Sequence, residues 1–155
     1  GTAKERNRNK NSETTSMLQE EFKGIEEAVR NMFGQYIGWF VFFTGVNLAG
    51  YGWFAQQLAE HKNIAKWVVL IVCVYFVFQN IVAAIASRRL ILYFRSSQQR
   101  MELLLPELER NSAYSIKAQI ACPFELYIQI TKLVMQTFLS MILLWIAFTI
   151  FAFTH

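Results

Sequence analysis

Aspartate is absent from this chain: all eleven acidic residues among its 155 are glutamates. No catalytic carboxylate dyad that includes an aspartate can therefore form. Histidine is nearly absent too, and His61 and His155 lack the spacing of paired metal ligands. The two cysteines, Cys73 and Cys122, sit at different depths of the predicted topology, which excludes a disulfide framework. Cys73 reads as a small buried hydrophobe. The clustered glycines fall inside a predicted membrane helix rather than in a phosphate-binding loop, and no serine or cysteine has an evident base beside it. The expectation is a protein with no catalytic residues, no metal and no cofactor, and not an enzyme.

Charge is missing from long stretches. Residues 32–59, 67–86 and 133–154 contain no Lys, Arg or Glu, although 17% of the chain is charged and 54% is apolar. A helix needs about 20 apolar residues to cross a hydrocarbon core of about 30 Å. Soluble helices of that length, apolar all round, would require a core too large for so short a chain. The predicted class is all-α: a polytopic integral membrane protein with three transmembrane helices, at 32–59, 66–87 and 123–154, and long helical extensions on the cytoplasmic side. The first run is not N-terminal and no small-residue cleavage site follows it, so it is not expected to be a removable signal peptide.

Basic residues set the orientation. Residues 1–31 hold six (Lys4, Arg6, Arg8, Lys10, Lys23, Arg30) and residues 87–124 hold six (Arg88, Arg89, Arg95, Arg100, Arg110, Lys117), against Lys62 and Lys66 in the first connection. Twelve against two places the N-terminus and the 88–122 segment in the cytoplasm by the positive-inside rule, with the turn at His61 and the C-terminus outside. The localisation expected is a multi-pass protein of a bacterial-type inner membrane. The net charge of +4 does not point to nucleic acid, because residues 1–31 balance six basic with six acidic residues. Arg88, Arg89 and Arg95 are read instead as contacts to anionic lipid headgroups or to a partner.

Residues 1–15 are polar, basic and without apolar periodicity, and are expected to be disordered. From Ser16 the residues Leu18, Phe22, Ile25, Val29 and Met32 recur at spacings of 4, 3, 4 and 3. This is a helical stripe. Ser16 and Gln19 fit a capping box, so a cytoplasmic amphipathic helix over 16–31 should start there and run unbroken into the first span. Leu90, Phe94, Met101, Leu104 and Leu108 continue a stripe beyond the second span until Pro106, which should break or kink the helix. A short helix over 115–121 should follow, with Pro123 in the first turn of the third long helix. The two stripes are expected to pack on each other or on another subunit.

The spans carry three patterns. Gly34, Gly38, Gly45, Ala49 and Gly52 fall within about 60° of arc on the first, a small-residue stripe that lets another helix approach closely. Asn47 lies on the opposite face, and its amide needs a hydrogen-bonding partner, Gln79 or Asn80 of the second span. On the third helix Glu125, Gln129, Lys132, Gln136 and Ser140, spaced 4, 3, 4 and 4, form one polar line before the same face turns apolar at Leu143 and Ala147. Such a line suits the lining of a pore or wet cavity, or else headgroup contacts by Glu125 and Lys132 with interhelical hydrogen bonds by Gln136 and Ser140. Tyr36, Trp39, Tyr51, Trp53, Trp67 and Tyr127 lie where interfacial aromatic belts are expected.

The sequence thus predicts a small, self-associating protein of the lipid bilayer that forms a pore or channel, with cytoplasmic helices for assembly or regulation. The alternative is a non-conducting membrane anchor or sensor whose residues 16–31 and 88–122 recruit a cytosolic partner protein, for instance in a bacterial defence or signalling complex.

Overall fold

The structure, a computed structural model, describes the backbone over residues 3–59, 66–111 and 122–154, and side chains over 13–57, 66–108 and 122–154. It is all-helical. Helix α1 spans Ala3–Ala59, α2 spans Lys66–Asn111 and α3 spans Phe124–Thr154. Two of these, α2 over Lys66–Leu108 and α3 over Phe124–Thr154, are long and apolar enough to cross a membrane. The uncharged part of α1 falls outside that pair because its glycines, Thr44, Asn47 and ring hydroxyls lower its mean hydropathy. The expected short helix over 115–121 and the turn at His61 lie outside the described residues.

Four local expectations are corrected. The helix begins at Ala3, so residues 3–15, expected to be disordered, are helical. Extending a formed helix fixes one residue per added hydrogen bond, far cheaper than nucleating one. Ser16 accordingly does not cap: its hydroxyl donates to the Glu13 carbonyl at 2.8 Å, a bond made from inside a helix. Helix α2 is not broken at Pro106 but continues to Asn111, since the hydrogen bonds on either side of the one that proline deletes carry the helix past it. Pro123 stands one residue before α3 rather than in its first turn, and its carbonyl accepts from the Tyr127 N–H at 3.0 Å.

The chain divides into two compact units. The first comprises Gly1–Gln35 and Leu92–Ile128. Within it Phe22, Val29, Phe94, Met101 and Leu108 of the two amphipathic stripes are buried, Leu18, Ile25 and Leu104 are half-buried, and Met32 is exposed. Phe33 stacks on Tyr127 with centroids 4.0 Å apart and lies 6.2 Å from Phe94, so one ring of each helix meets in a triad. At its surface the Arg100 guanidinium donates to Glu21, Nε to Oε1 at 3.0 Å, and Arg30 pairs with Glu26 one turn away at 3.0 Å.

The second unit comprises Tyr36–Ile91 and Gln129–His155. It has two apolar clusters. One is built on Phe54, Val69, Cys73, Phe76 and Trp145, the other on Ala84, Val134, Phe138 and Met141. Large apolar side chains also cover its outside, among them Phe42, Val74, Phe78, Leu133, Leu143 and Ile150, while Asn47, Asn80, Ser87 and Thr131 are fully buried.

Candidate functional site

The second unit buries four polar side chains among its apolar clusters while large apolar side chains face outward, so its buried amides come first. Asn47 of α1 faces inward on the line that also carries Tyr36 and Phe54. Its Oδ1 accepts twice, from Asn80 Nδ2 of α2 at 2.8 Å and from the Trp145 indole N–H of α3 at 2.9 Å. Its own Nδ2 donates to the Phe43 carbonyl, and Asn80 Nδ2 donates also to the Phe76 carbonyl, each at 2.8 Å. One oxygen therefore ties all three helices. Of the two residues considered as partners for Asn47, Asn80 meets it. Gln79 lies aside with its Oε1 buried, and Gln79 Oε1, Asn80 Oδ1 and Thr44 Oγ1 have no hydrogen-bond partner among the described residues.

Around this node sits an aromatic stack. Trp145 lies 4.3 Å from Phe76 at 7° and 4.6 Å from Tyr51 at 28°. Gly50 makes that stack possible, because a Cβ there would lie 2.7 Å from Phe76 Cζ and 3.0 Å from Trp145 Cζ2. A second polar link joins α1 to α2, with Tyr36 Oη 2.7 Å from Ser87 Oγ. Ser87 donates its single hydroxyl proton to the Ala83 carbonyl at 2.8 Å, which leaves Tyr36 as the donor to Ser87. Trp145, Gly50 and Ser87 drew no attention in the sequence. A lone Trp or Gly within an apolar run carries no periodic signal, and Tyr36 reads as easily as an interfacial ring.

No family model, curated protein or solved structure matches this chain. Its chemistry has to be read from its own surfaces.

Two surfaces face away from the second unit's core. Gly34, Gly38, Gly45, Ala49 and Gly52 are all exposed, and a Cβ added at any of the four glycines would meet nothing within 4 Å. At 100° per residue this stripe lies about 180° from the inward line of Asn47 and Phe54. The polar line of α3 is exposed along its whole length, from Glu125 in the first unit through Gln129, Lys132 and Gln136 to Ser140. Ser140 donates back to the Gln136 carbonyl at 3.0 Å. Arg88 and Arg89 of the second unit and Arg95 of the first are exposed as well.

Among the described residues no three His, Cys, Asp or Glu side chains group as a metal site would need. Cys73 and Cys122 are both free and buried, the former in the second unit and the latter in the first. Burial pushes the Cys122 thiol above its usual range, the Glu26 carboxylate adds to the rise and Arg30 opposes it. A thiol held protonated is a poor nucleophile.

Proposed function

We propose that this chain is a three-span membrane protein that self-associates around a polar path lined by Gln136 and Ser140 of α3, with Gln129 at its inner mouth. The observation that carries this reading is the outward direction of the α3 polar line. In lipid, exposed amides within a helix are costly unless they face a bundle interior or water. The three helices of one chain fill their own interior with Trp145, Phe138 and Asn47, so a path can only lie between copies. The buried amides and the apolar exterior of the second unit support placing it in lipid, where polar groups must be satisfied inside. The exposed glycine stripe supports close helix approach between copies.

The test is flux and mass together. Reconstituted protein should be oligomeric and should pass ions through liposomes, and Gln136→Leu should change that flux by about tenfold or more, the effect of removing one polar group from a narrow lining. A monomeric particle, or flux no greater than that of empty liposomes, would sink the reading.

The anchor reading rests on a different feature. The first unit exposes Met17 at 70% and Leu103 at 75%, apolar side chains outside the proposed spans. An anchor should retain a cytosolic protein in a pull-down with the full chain and lose it when residues 1–31 are removed. A pore with no partner shows no such difference.

A further inference from the structure

In the second unit an apolar groove of about 360 Å³ opens between α2 and α3, with Val74 and Ile81 on one wall, Ile146 on the other, and Cys73 and Val77 among its lining. Each wall leads to a cation. On α2 the positions 74, 81 and 88 are seven apart, so Val74, Ile81 and Arg88 share one face. On α3 the positions 146, 139 and 132 repeat the interval, through Ile146 and Leu139 to Lys132. All six side chains are exposed.

The two cations also stand at one level. The helices run antiparallel: Phe76 stacks on Trp145, and Ala84 packs in one cluster with Val134 and Phe138. Arg88 is one turn past Ala84 and Lys132 is two residues before Val134, which sets them opposite one another. Arg88 lies seven residues, about 10 Å, from Ile81 and eleven residues, about 16 Å, from Val77. That span equals one leaflet of a hydrocarbon core of about 30 Å. Arg89 adds a third positive charge, and residues 66–91 and 129–154 contain no acidic residue.

Resting on the membrane reading above, we infer that this groove is a binding site for one anionic phospholipid, its phosphate held between Arg88 and Lys132 and an acyl chain lying along Ile81, Leu139 and Ile146. A zwitterionic lipid fits the groove equally but brings its own cation to the arginine, so charge makes the choice. The arginine fork and the ammonium supply donors from two helices, and the apolar walls exclude water from the chain below.

Native mass spectrometry of the full-length protein in detergent, given equal amounts of dioleoyl phosphatidylglycerol and dioleoyl phosphatidylcholine, tests it. Wild type should retain the glycerol lipid preferentially. Arg88→Gln with Lys132→Gln should cut that retention about 30-fold, from the roughly fivefold that each cation contributes near an anionic lipid surface. Ile146→Trp, which fills the groove and leaves both charges, should cut it also, whereas Lys23→Gln in the first unit should not. Flotation on phosphatidylcholine vesicles containing phosphatidylglycerol separates the two levels of inference. Failure to float overturns the membrane reading and this site with it. Flotation with equal retention of both lipids, or with a second copy of the chain in place of a lipid adduct, overturns the site alone.

Discussion

Trp145→Ala is expected to lower the unfolding free energy of the second unit by about 3 kcal/mol, the lower end of the range for emptying an aromatic core site. Trp145 is 0% exposed and joins α3 to both other helices. Its ring lies on Phe76 and Tyr51, meets Phe148 edge-on at 5.9 Å, and its N–H ends on Asn47. In lipid the transfer contribution shrinks, because tails are as apolar as the core, but the lost dispersion contacts and the cavity remain. That reasoning selects the lower end. Trp145→Phe keeps a ring in the stack and removes only the donor. It should cost about 1 kcal/mol, the scale of one interhelical hydrogen bond in membrane proteins. The contrast can be read by titrating detergent-solubilised protein with SDS and following helicity by circular dichroism. An alanine variant within about 0.5 kcal/mol of wild type, the scatter of surface substitutions, would show that the node does not hold the unit together.

What was legible in the sequence followed from spacing. Long uncharged runs reported long helices, and the stripes at 18–32 and 90–108 reported which side chains share a face. Spacing does not report which face turns inward. The glycines at 34, 38, 45 and 52 lie together on one side of α1, yet that side is open, and the glycine at an actual close approach is Gly50, about 140° from the stripe's centre. Asn47 needed a partner by its chemistry, and amides stood at 79 and 80. One residue is about 100° of helix rotation, so the choice depended on how α2 turns against α1, which side-chain packing decides. The line from Glu125 to Ser140 was legible as a line, while its outward direction came from the bulk of Phe138, Met141 and Trp145 on the opposite side of α3. Helix ends were least legible. Pro106 and Ser16 carry terminating and capping chemistry that an already propagating helix overrides, and residues 3–15 are helical without any apolar pattern to announce it.

Identical substitutions five residues apart on α1 should separate folding from association. Gly50→Leu must displace Phe76 or Trp145, since even its Cβ would sit 2.7 Å from one ring and 3.0 Å from the other. Both rings are tied into the stack: they lie 4.3 Å apart, and Trp145 also stacks on Tyr51 at 4.6 Å. Overpacking of this kind costs about 3 kcal/mol, more than the roughly 1 kcal/mol gained by removing a glycine from a helix. At Gly45 nothing lies within 4 Å, so Gly45→Leu keeps the gain without the clash and should leave each chain as stable as wild type or more so. If the stripe is where copies meet, that same leucine blocks the close backbone approach, and the particle mass in detergent should fall from oligomer to monomer. Gly50→Leu should unfold at lower SDS, whereas Gly45→Leu should unfold normally as a smaller particle. An unchanged mass for Gly45→Leu would remove the glycine stripe from the assembly, leaving the α3 line as the surface through which copies associate.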